Sequence, residues 1–125
     1  MKQIESQHQR ALFEWIRMQQ ARDSRYSKIF AIPNGGKRDK RTAANLKREG
    51  VLSGVWDIFV PIPNSKLCGC GLWIEMKAGS NKLTANQEKF REGLTSYYKF
   101  EVCYTWIEAK KVIEGYLKEC GSSGA

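Results

Sequence analysis

The chain has 125 residues, with 21 Lys or Arg against 13 Asp or Glu, a formal charge of +8, and 42% hydrophobic and 27% charged residues. That length supports one domain with one core, and the composition excludes a disordered or fibrous chain. No stretch approaches the ~20 apolar residues of a membrane span, and Lys2-Gln3-Ile4-Glu5-Ser6 carries no apolar signal-peptide core, so an intracellular, non-secreted protein is expected.

Residues 4 to about 22 read as a helix, with Glu5, Gln9, Leu12 and Ile16 on one stripe and Ala11 and Trp15 beside it. Residues 28–32 read as a short strand, stopped by the turn signal Pro33-Asn34-Gly35-Gly36. Residues 41–49 suit a short helix closed by Gly50. Residues 56–62 and 72–77 follow as two strands, with Pro63-Asn64-Ser65 and Gly69-Cys70-Gly71 marking a hairpin loop between them. Thr84-Ala85-Asn86-Gln87 has the form of a capping box opening a helix whose inward face carries Gln87, Phe90, Leu94 and Tyr97. Residues 100–105 are a further strand, and a last helix from about 107 to 119 shows Ala109, Val112, Ile113 and Tyr116 on one face. The order α-β-α-β-β-α-β-α predicts one α/β domain over residues 1–119, a mixed sheet flanked by helices. Residues 120–125 are expected to form a flexible tail.

Cys68, Cys70, Cys103 and Cys120 form no CxxC pair, and His8 is the only histidine. Reduced thiols are expected, without a structural metal or a disulfide framework. The pI near 9.5 makes polyanions the first partners to consider, because Lys and Arg gain binding free energy by releasing phosphate counterions.

Chemistry concentrates on the strand at 72–77. Alternation puts Leu72, Ile74 and Met76 on a core face and Trp73, Glu75 and Lys77 on the other. Charges on a largely covered strand cost several kcal/mol each unless they pair or meet a metal. A hairpin between the two strands brings Asp57 close to Glu75 across the ladder. Two carboxylates and a lysine converging on one point make a hard oxygen site suited to Mg²⁺ or Mn²⁺, able to polarise a phosphate and acidify a water. An isolated E-x-K triplet more often marks a plain salt bridge on a solvated face; the residues around this one shift the balance.

Asp57 followed by Glu75-Met76-Lys77 resembles the pattern of the PD-(D/E)xK nuclease superfamily. More closely, the chain is similar to the stand-alone, virus-type VRR-NUC domain. The ordered blocks are Ile32-Pro33-Asn34-Gly35-Gly36, Leu46-Lys47-Arg48-Glu49-Gly50, Gly54-Val55-Trp56-Asp57-Ile58, Glu75-Met76-Lys77-Ala78 and Lys82-Leu83-Thr84-Ala85-Asn86-Gln87. One departure is Trp56, where the family commonly has proline before the Asp. The resemblance implies a restriction-endonuclease-like core and a Mg²⁺- or Mn²⁺-dependent deoxyribonuclease. It makes Asp57 and Glu75 metal ligands, the Met76 carbonyl a further ligand and Lys77 the catalytic lysine. It also implies a homodimer acting on branched DNA, a four-way junction above all, and a viral origin with a bacterial cytoplasm as the setting. Cleavage of flaps or single strands, or silent nucleic-acid binding, are the alternatives.

Glu5 has two readings: an acid favoured in the first helical turn, or, as in related junction resolvases, a carboxylate reaching the metal site. Gln87 likewise is either the capping partner of Thr84 or an inward amide at the site. The nucleic-acid track is expected along Asn34, Gly35, Gly36, Lys37, Arg38, Lys40, Arg41, Lys47 and Arg48, extended by Lys82; a solvated helix face is the other reading of those cations.

Overall fold

Leu12 and Ile16, one helical turn apart, are buried to 0% and 1% exposure, and they hold helix α1 (Lys2–Gln19) against the rest of the chain. The structure, a computed structural model, describes residues 2–33, 40–64, 66 and 69–121. Helix α1 stops short of residue 22 because Asp23 starts a new turn: its carboxylate accepts from Arg25 N and opens a 3-10 helix over Ser24–Lys28. That turn takes Lys28 away from the expected strand, so β1 is only Phe30–Ala31.

Helix α2 (Lys40–Arg48) buries no residue, and Gly50 ends the segment at φ +99°, a left-handed conformation that suits glycine. Strand β2 (Ile58–Val60) is shorter than expected because Pro61 has no N–H to give to a ladder. Strand β3 is Leu72–Met76, and helix α3 is Ala85–Arg91. Strand β4 (Lys99–Cys103) leads through the cap Thr105 into helix α4 (Trp106–Glu119).

Helix α3 corrects one expectation. Glu92 leaves the helix and Gly93 takes φ +80°, so the apolar spacing continues in sequence while the helix does not. Leu94 is therefore only half-buried, and Tyr97 is 57% exposed.

The strands lie in the order β1-β2-β3-β4, with the first two pairings antiparallel and β3–β4 parallel. The result is a mixed α/β fold, a four-stranded mixed sheet flanked by helices. One sheet face contributes Ile58, Val60, Leu72, Ile74, Met76 and Cys103 to a core completed by Leu12 and Ile16 of α1 and Ala109, Ile113, Tyr116 and Leu117 of α4. On the other face Phe59, Trp73 and Phe100 stand in register across three strands, and Phe90 of α3 meets Trp73 edge-on at 5.2 Å. Arg25 donates to Leu117 O and Gly121 O, both at 3.1 Å, so the chain is tied down as far as Gly121. Residues 122–125 of the expected tail lie outside the described residues, as does Cys68, while Cys70, Cys103 and Cys120 are free thiols. Among the described residues no helix is long and apolar enough to cross a membrane.

Candidate active site

The β2–β3 register pairs Ile58 with Ile74, which sets Asp57 opposite Glu75 just beyond the end of β2. Each residue's backbone region then holds the other's side chain. Asp57 N donates to Glu75 Oε1 at 3.2 Å, and Met76 N donates to Asp57 Oδ2 at 3.0 Å. In a strand, the N–H and C=O of one residue point to the same edge. The Met76 carbonyl therefore shares the edge that faces Asp57, whereas Lys77 N donates the other way, to Cys103 O at 2.9 Å.

Alternation along β3 carries Glu75 and Lys77 onto one face, and both are covered, at 3% and 8% exposure. Lys77 Nζ lies 3.5 Å from Glu75 Oε2. The same oxygen accepts from Gln87 Nε2 at 2.7 Å. Gln87 meanwhile completes the capping box: its Oε1 accepts from Thr84 N at 2.9 Å while Thr84 Oγ1 accepts from Gln87 N at 3.2 Å. The capping reading of Gln87 holds, and the same amide also reaches inward: its oxygen serves the cap and its NH₂ donates to Glu75.

Trp56, standing where proline was the family expectation, is fully buried. Its Nε1 donates to Gln87 O at 3.0 Å, and its ring meets Phe100 edge-on at 4.9 Å. Gln87 is thereby gripped at both ends, by its carbonyl and by its side chain. Gly54 makes this docking possible: it has φ +90°, and a Cβ there would run into the backbone of Asn86.

Electrostatics sets the carboxylates apart. Burial is the main force raising Asp57 above the usual carboxylate range, opposed by the hydrogen bond from Met76. Burial first and the Asp57 charge second push Glu75 up to about 8. The hydrogen bond between the two carboxyls favours charge on Asp57 and a proton on Glu75, the behaviour of like charges sharing a site. The donors are all hard oxygens: two carboxylates and the carbonyl on their edge. They fit Mg²⁺ or Mn²⁺, which neutralises such a pair in place of a proton. Among the described residues no group of three or more His, Cys, Asp or Glu with metal-holding geometry forms.

Asp57, Glu75, Lys77, Gln87 and Glu5 line one cavity of about 790 Å³. Glu5 is half-buried, and its charge acts on Asp57, so α1 delivers a third carboxylate to the same space. The wall also includes Thr84 of the capping box and Arg10, Phe13 and Arg17; sequence reasoning did not single out these last three, because the stripe it read on this helix was Glu5, Gln9, Leu12 and Ile16. No described residue of the expected basic track is part of this wall. Lys40, Arg41, Lys47 and Arg48 are exposed on α2 and Lys82 is exposed ahead of Thr84, while Asn34, Gly35, Gly36, Lys37 and Arg38 lie outside the described residues. Comparison of the chain with protein-family models, curated proteins and solved structures found no match.

Proposed function

We propose that the protein is a Mg²⁺- or Mn²⁺-dependent DNA endonuclease with a restriction-endonuclease-like core, acting as a homodimer on branched DNA such as a four-way junction. The observation that carries this reading is the Asp57–Glu75 carboxyl pair, with Lys77 beside it, on the floor of an open cavity. Two acids buried against each other are unfavourable in the free protein, and a divalent cation gives them a purpose. Asp57, Glu75 and the Met76 carbonyl would hold it, with Glu5 across the cavity. When bound, such an ion supplies charge neutralisation at the scissile phosphate and lowers the pKa of water next to it.

The chain's own residues do the rest. Met76 N–H fixes Asp57 Oδ2 and Asp57 N–H fixes Glu75 Oε1, while Gln87 and Lys77 occupy Glu75 Oε2. Asp57 Oδ1 and the second lone pair of Glu75 Oε1 would serve ligation. Lys77, held at Glu75, places a positive charge beside the phosphorus and orients the attacking water. Gln87 keeps Glu75 in its rotamer. A two-fold dimer suits a junction because paired sites cut symmetry-related strands.

The test is cleavage of labelled four-way junction, flap, linear duplex and single strand with Mg²⁺ or Mn²⁺, with Lys77→Ala alongside. Paired symmetric nicks in the junction, absent from the variant, are expected. Cutting of flaps or single strands alone would keep the nuclease and discard the junction. Tight binding without any metal-dependent cutting would leave a silent binding module.

A further inference from the structure

The cavity does not end at the carboxylates. It continues along α1, where Arg10, Phe13 and Arg17 line it three and four residues apart, beside the core-facing stripe of Leu12 and Ile16, with the half-buried Phe13 also packed against the core. Ala31, Ile32 and Pro33 line it too. One side of the groove thus carries two arginines with an aromatic ring between them, together with Glu5 and Glu14 of the same helix, and the other is apolar. Both arginines are exposed, and neither forms an ion pair or a hydrogen bond among the described residues, although Glu14 lies four residues from Arg10 and three from Arg17.

We propose that this groove seats an unpaired DNA strand, with Arg10 and Arg17 on its phosphates and Phe13 and Ile32 against its bases, and leads one phosphodiester to Asp57 and Glu75. The end point of that path rests on the nuclease reading; the groove itself does not. The two guanidiniums without a partner among the described residues, in a chain of formal charge +8, suit a polyanion. The apolar surface selects the unpaired form, because a closed duplex hides its base faces and offers only phosphate and sugar, whereas a single strand presents bases that stack on aromatic rings. The recessed chemistry agrees, since Glu75 is 3% exposed and a phosphate must enter the cavity to reach it. Branch points and flaps expose such strands.

The experiment is fluorescence anisotropy of a labelled oligothymidine strand and of a blunt duplex, titrated across salt concentrations in chelator. Arg10→Gln/Arg17→Gln and Phe13→Leu are compared with wild type after their melting curves establish folding. The double variant should lower single-strand affinity about tenfold or more and flatten the log–log salt slope by about 1.4, two contacts at about 0.7 each. Phe13→Leu should weaken single-strand binding at least about fivefold with the slope unchanged. Coincident curves for wild type and the arginine variant would overturn the proposal, as would equal losses on single strand and duplex. A wild type that cuts no substrate with Mn²⁺, yet loses single-strand binding in the variants, would remove the nuclease end point and uphold the groove. A variant that binds and cuts as wild type would remove the groove and leave the nuclease.

Discussion

Asp57→Asn should make the metal-free protein more stable while abolishing metal-dependent cleavage. The asparagine keeps the geometry: its carbonyl can accept from Met76 N, as Asp57 Oδ2 does at 3.0 Å, and its amide can donate to the Glu75 carboxylate. What disappears is one of two like charges in hydrogen-bond contact in a covered site. At about 4 Å and an effective dielectric constant of about 20, that repulsion is about 4 kcal/mol. At pH 8.5, above the value of about 8 to which Glu75 is raised, Glu75 is mostly ionised and most of that repulsion is present, so a gain of at least about 2 kcal/mol is expected there. In a domain of this size that raises Tm by about 6–10 °C. The sign follows from linkage. Both carboxyls are raised in the folded state, Glu75 to about 8, so their favourable contribution is complete below the unfolded carboxylate values and is lost as pH rises through about 8. The variant removes part of that loss, and its advantage should shrink toward zero near pH 5. The assay is thermal and urea unfolding of both proteins in chelator from pH 5 to 9, repeated with Mn²⁺, which should stabilise wild type alone. A variant no more stable than wild type at pH 8.5, or an equal gain at pH 5 and 8.5, would refute the reasoning.

Other substitutions separate the parts of the site. Thr84→Ala removes half the capping box and should cost about 1 kcal/mol in urea unfolding with little effect on kcat; Gln87→Ala removes the cap and the hydrogen bond to Glu75, and should lower kcat about tenfold or more besides. If the two variants have equal kcat, Gln87 acts only as a cap. Gly54→Ala sets a Cβ against the Asn86 backbone at φ +90° and should destabilise by more than about 2 kcal/mol in equilibrium unfolding; a neutral result would mean the 53–56 loop does not dock as described. Lys47→Gln/Arg48→Gln tests α2: if its cations touch duplex phosphates, the log–log salt slope of binding falls by about 1.8 for the pair, and an unchanged slope removes α2 from the footprint.

What the sequence by itself determined is what local geometry dictates. The two-residue period of a strand put Glu75 and Lys77 on one face and Leu72, Ile74 and Met76 on the other, and the core takes the second set while the first is covered around the cavity. The Thr84–Gln87 spacing specified a capping box because it needs only one turn of helix, and the turn signals between residues 62 and 72 specified a hairpin, which in turn brought Asp57 to Glu75. Periodicity failed where chain direction changed: the spacing through Leu94 and Tyr97 stayed helical after Gly93 had ended the helix. Only the tertiary structure decided the rest. Trp56 gripping Gln87 and Gly54 lying against Asn86 join segments about thirty residues apart, and a local pattern carries no such distance. The raised Glu75 depends on how much chain covers it, and the row Arg10–Phe13–Arg17 gains a partner surface only once β1 and the residues after it stand opposite α1. Spacing tells which residues share a face; packing alone tells what that face meets.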